Sequence, residues 1–80
     1  MIEKGSVITL ENNKEYLVVD NINYQDNDYL FIINIKDPKD FLIQKLSTVN
    51  NEQELNPIDN ADLVKTLLAI FYERNNPNNL

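Results

Sequence analysis

The sequence predicts a small α+β domain: a curved antiparallel sheet of four or five strands, for which an SH3-like barrel is one available form, followed by one C-terminal amphipathic helix. Two observations carry that expectation. Runs rich in β-branched and aromatic residues (SVITL, EYLVVDNINY, YLFIINI, FLIQKL) recur between Asn- and Asp-rich breaks, as strands do between turns. The last apolar stretch, ADLVKTLLAIFYERN, instead spaces its large side chains along one side of a helix.

Taken in order, Gly5 precedes SVITL, and ENNK separates it from EYLVVDNINY, which reads as a hairpin. Asn tolerates left-handed backbone, so Asn12 and Asn13 are expected to fill a type I′ turn. That turn sets Ile8 opposite Leu17, and a slip of two sets it opposite Val19. Either way Ile8, Leu10, Leu17 and Val19 share one face, leaving Val7, Thr9, Tyr16 and Val18 on the other. A second turn at QDND, residues 25 to 28, leads into YLFIINI, which is apolar on both alternations up to Asn34. KDPKD breaks that run, because Pro38 fixes its own φ and biases Asp37 away from helical space. FLIQKL, residues 41 to 46, is a fourth strand. Residues 47 to 54 read as a polar connection, and ELNPI, residues 54 to 58, as a short edge segment ending near Pro57.

Asp59 or Asn60 caps the helix, and Asp62 in its first turn complements the helix dipole. Ala61, Leu63, Val64, Leu67, Leu68, Ile70, Phe71 and Tyr72 cover an arc of roughly 200°, about twice the width of a minimal core-facing stripe. The domain is expected to span residues 1 to 75, with 76 to 80 a disordered tail.

Eighty residues form one thin-cored domain. With no Cys and no His, neither a disulfide nor a Cys/His zinc site can reinforce it, which leaves tight packing or a partner chain. No segment has the apolar length of a signal peptide core or a membrane span, so a cytoplasmic location is expected. Thirteen acidic residues against seven basic ones give a net charge of −6, which repels nucleic-acid phosphates and anionic lipid.

The succession of GSVITL, a turn, EYLVV and a C-terminal helix resembles a group of short bacterial and phage proteins that open with a Gly-hydrophobic strand and a Tyr-x-Val-Val second strand. The first two strands also resemble the opening hairpin of small SH3-like barrels. The resemblance implies a fold and no activity, and it transfers no functional residue.

Candidate chemistry is sparse. Asp26, Asp28, Asp37 and Asp40 lie in two acidic loops, but DNDYLFIINIKD has Leu30 and Phe31 where a calcium loop needs a ligand and a Gly. The two loops lie at opposite ends of an extended strand, about 20 to 25 Å apart, too far to share an ion. Ser6, Ser47, Thr9, Thr48 and Thr66 have no neighbouring base to activate them, and no Gly-rich phosphate loop exists. No enzyme activity, metal or cofactor is expected. Tyr16, Tyr24, Tyr29 and Phe31 lack the Lys and Arg frame of a base-stacking platform and read as core or interface.

Both faces of the sheet are apolar, and the helix arc is wider than a single contact uses. An expectation follows: a non-enzymatic protein-interaction module, homodimeric or bound to a larger protein, with Phe31, Leu63, Leu67, Ile70 and Phe71 at the interface. The competing possibility is that residues 47 to 58 fold back over that apolar surface. An alternative function is a small acidic inhibitor that presents Asp26, Asp28, Asp37 and Asp40 to the basic groove of a nucleic-acid enzyme.

Overall fold

The computed structural model describes residues 2–75. Five strands, β1 (Val7–Thr9), β2 (Glu15–Tyr24), β3 (Asn27–Asn34), β4 (Asp37–Val49) and β5 (Glu52–Pro57), precede helix α1 (Ala61–Asn75). The strands pair antiparallel in chain order, each with its sequence neighbour, in one curled half-barrel sheet. The predicted class is therefore the observed one. The expected tail at 76 to 80 lies outside the described residues.

The turns explain the ladder. Leu10 and Lys14 close a three-residue loop through Leu10 N donating to Lys14 O at 3.0 Å, with Asn13 at φ 64°. An αL residue ending a three-residue loop is a standard hairpin solution. It is one residue longer than the type I′ turn expected at Asn12 and Asn13, so the register moves by one and Ile8 lies opposite Tyr16, not Leu17 or Val19. The faces regroup accordingly: Ile8 and Leu10 join Tyr16 and Val18, while Val7 joins Leu17. Type I′ geometry appears instead at Gln25 and Asp26 (φ 51° and 65°) and at Asn50 and Asn51 (φ 51° and 67°). The second of these turns the polar stretch 47 to 54 into a hairpin between β4 and β5, where a connection was expected. Gly5, at φ 93°, donates to Val18 O while Val18 N donates to Ser6 O, a bulge of the kind that requires Gly.

Two further irregularities aim side chains. Between Val18 and Asp20 the register shifts, so that both Val19 and Asp20 oppose Phe31. Simple alternation would put Asp20 on the side of Tyr16 and Val18; the bulge puts it on the side of α1. In β4, three residues, 38 to 40, are accommodated between the Ile33/Phe41 and Asn34/Asp37 pairs. Pro38, which lacks a ladder donor, is tolerated in that bulge, so KDPKD bends the strand without ending it.

The core has two sides. Tyr16, Val18, Leu30 and Ile32 are buried in the concavity with Ile2, Ile8, Leu10, Leu42 and Leu55 packed on them. On the opposite side α1 covers Ile22, Tyr29 and Phe31, with Leu67 inserted between helix and sheet. Asn60 caps the helix, its Oδ1 accepting from Leu63 N at 3.1 Å. Phe71 stacks on Phe31 with centroids 4.8 Å apart and planes 7° apart, and Phe41 tilts against both. No described helix is long and apolar enough to cross a membrane.

Candidate functional site

The sheet face that carries α1 extends beyond it. Val7 pairs with Leu17, Leu17 with Ile33, and Ile33 with Phe41, which makes one cross-strand row over four strands. Phe41 reaches the aromatic stack under the helix, whereas Val7, Leu17 and Ile33 belong to neither core cluster. Beside the row, Val19, Ile33, Pro38, Phe41, Phe71 and Tyr72 line an apolar cleft of about 300 Å³. Tyr72 is 66% exposed and Val7 54%. Glu15, Lys36 and Lys39, close in sequence to the row, are exposed, whereas Asp37 pairs with Asn34 and so lies toward the Tyr16 side of the sheet.

The helix end beside this cleft is fixed by a buried carboxylate. Asp20, 2% exposed, accepts from Asn21 N and Asn75 Nδ2, both at 2.9 Å, and pairs with Arg74 at 3.1 Å. Three donors satisfy the carboxylate, which is the condition for burying it. Arg74 is half exposed, so the pair is partly screened by solvent and serves mainly to position the helix.

On the concave side, Tyr16 donates its hydroxyl to Asp40 Oδ2 at 2.5 Å, and Asn34 Nδ2 donates to the same oxygen at 3.2 Å. The hydroxyl bond holds the Asp40 carboxyl below its usual range, with Asn34 adding to the effect. The same bond to Asp40 raises Tyr16, and burial adds to that. Asp40 acts here as an acceptor that anchors the β4 bulge. Among the described residues no group of three or more His, Cys, Asp or Glu could hold a metal ion.

The interface expected from sequence needs correction. Phe31 and Leu67 have no exposed surface and form the intramolecular core. Leu63 and Ile70 are half-buried against the same core, and of the five only Phe71 also lines the open cleft. The helix arc exceeds one contact because the aromatic sheet face under it is broad. The acidic set is divided as well: Asp26 and Asp28 sit at the β2/β3 turn, Asp37 and Asp40 at the other end of β3, with Asp40 engaged by Tyr16. Sequence reading missed Val7, Leu17, Ile33, Pro38 and Tyr72 as a unit. The signal was present as two-residue alternation, but a one-residue register error places Val7 and Leu17 on opposite faces. No family model matches this chain, and comparison with curated proteins and with solved structures returns no match, so the functional reading rests on this geometry.

Proposed function

We propose that the protein is a non-enzymatic, cytoplasmic protein-interaction module that docks through the apolar row Val7, Leu17, Ile33 and Phe41 and the cleft beside Phe71 and Tyr72, and that a second copy of the chain is its simplest partner. The observation that carries this reading is the continuity of the row past the edge of α1. Its exposed apolar area is on the order of 400 Å², in the range of functional patches on small proteins. Two such patches facing one another would bury about 800 Å², worth roughly 20 kcal/mol before association and ordering costs of about 4 to 15 kcal/mol or more are subtracted. That area is about half of a standard interface, so the dimer is expected to be weak. The exposed charges near the row suit a twofold arrangement, because Lys36 or Lys39 of one copy can face Glu15 of the other. The acidic-inhibitor reading has less support, since its four residues lie at opposite ends of the sheet.

Light scattering during size-exclusion chromatography tests the proposal. The mass should rise from 9.3 kDa toward twice that value with increasing concentration, persist when salt rises from about 50 to 500 mM, and return to the monomer value in Tyr72→Glu and Val7→Lys. Both substitutions are at exposed positions and should leave the fold intact. A wild-type chain that stays monomeric up to about 1 mM would remove self-association through this face.

A further inference from the structure

Another opening among the described residues lies on the other side, where the half-barrel fails to close. If the sheet were flat, β1 and β5 would stand about 19 Å apart, four strand spacings of about 4.8 Å. Instead residues 8 to 12 and 53 to 57 line one cleft of about 830 Å³. No ladder joins β1 to β5. The direction of the strands shows why. In an antiparallel meander, strands one and five run the same way, so this sheet cannot complete itself in antiparallel fashion; a sixth strand running the other way would be antiparallel to both edges.

Both edges present backbone to the gap. On β1, Val18 exchanges hydrogen bonds with Gly5 and Ser6, and Leu10 N donates to Lys14 O. Alternation then makes Ile8 inward-bonded and turns the N–H and C=O of Val7 and Thr9 outward. On β5, the two-residue turn at Asn50 and Asn51 is closed by the Val49/Glu52 pair, so Glu52, Glu54 and Asn56 bond inward to β4. Gln53, Leu55 and Pro57 face out, and Pro57 occupies the one kind of edge position that needs no donor.

The floor and rim of the gap specify what can fill it. Ile2, Ile8, Leu10 and Leu55 supply an apolar floor. Glu11 and Glu54 are the charged residues of the lining, which contains no Lys or Arg; Lys4 and Lys14 are close in sequence but outside it. We infer that the seam between β1 and β5 accepts an extended, basic peptide segment of a partner protein, about five residues long, which adds as a sixth antiparallel strand with apolar side chains on the floor and Lys or Arg toward the rim. Strand addition of this kind takes affinity from main-chain hydrogen bonds and specificity from alternate side chains. A second copy fits the seam poorly, because each chain carries a charge of −6.

The test uses the full chain, labelled with ¹⁵N, and three synthetic octapeptides: alternating valine and lysine, alternating valine and glutamate, and all lysine. The valine/lysine peptide should shift the amides of Val7, Thr9, Gln53 and Leu55 and slow their hydrogen exchange, while the other two should bind at least tenfold more weakly. Glu54→Lys, at an exposed position, should weaken the valine/lysine peptide about fivefold to tenfold. Thr9→Pro, which removes an outward N–H while keeping the β2 ladder, should weaken it in a chain whose spectrum is otherwise native. Equal binding of all-lysine would reduce the site to charge alone and overturn the inference. So would shifts confined to the amides of Leu17, Ile33, Phe71 and Tyr72, the same seam-amide shifts on concentrating the free protein without peptide, or no binding.

Discussion

Replacing Leu67 with alanine is the sharpest test of where the helix spends its apolar surface. Leu67 has no exposed area and lies among Ile22, Tyr29 and Phe31. Truncation removes three carbons, a transfer loss of about 2.4 kcal/mol at about 0.8 kcal/mol per methylene. The cavity left behind adds to this, because Phe31 and Phe71 are stacked and can close the gap only in part. The expected loss is about 3 to 4 kcal/mol, inside the usual range for buried Leu→Ala. An 80-residue domain is stable by roughly 4 to 12 kcal/mol, so the loss takes about a quarter of the total or more, and the Tm should fall by at least about 12 °C. Urea unfolding followed by far-ultraviolet circular dichroism, at two protein concentrations a hundredfold apart, measures this directly. A core position gives the same loss at both. A loss below about 1 kcal/mol, or one that disappears on dilution, would return Leu67 to an intermolecular surface and refute the assignment.

Three other outcomes follow. Asp20→Ala should cost about 2 to 3 kcal/mol, because it orphans Asn21 N–H and releases the helix end, whereas Arg74→Ala should cost about 1 kcal/mol or less, since Asp20 keeps two donors and water can replace a half-exposed guanidinium; denaturant titration of both decides, and equal losses would contradict this division. Gln25→Gly should stabilise by about 0.5 to 1 kcal/mol by removing the left-handed penalty at φ 51°, and a lower thermal midpoint would count against the turn geometry. The folded state lowers the Asp40 pKa, so its contribution is present above the ordinary aspartate pKa and is lost as pH falls through the folded value; Tyr16→Phe should therefore flatten the acid side of the stability-versus-pH curve, and an unchanged slope between pH 5 and pH 2 would disprove the linkage.

What the sequence disclosed was set by how local each signal is. Strand runs, the Asn60 cap and the helix over 61 to 75 rest on short-range patterns and are observed. The first hairpin's register depended on whether Asn12 and Asn13 made a two-residue turn or ended a three-residue one, and Asn is compatible with both. The β4/β5 hairpin was hidden because QKLSTV and EQELNP lack a clean apolar alternation, leaving Asn50 and Asn51 as its only strong mark. The bulge at Val19 has no sequence signature and that at 38 to 40 is marked only by Pro38, yet they aim Asp20 and Asp40. The candidate site depends on all of these features at once: a row over four strands is legible only when three registers are known together.

The meander also has a consequence for how the chain assembles. Each ladder closes over a connection of a few residues, so little loop entropy is lost before a strand gains its neighbour, and the sheet can zip from any hairpin outward. The exception is the clasp between residues 20 and 75, which spans 55 positions. A chain emerging from synthesis can therefore lay down its sheet early, but it cannot fasten the helix until residue 75 is available.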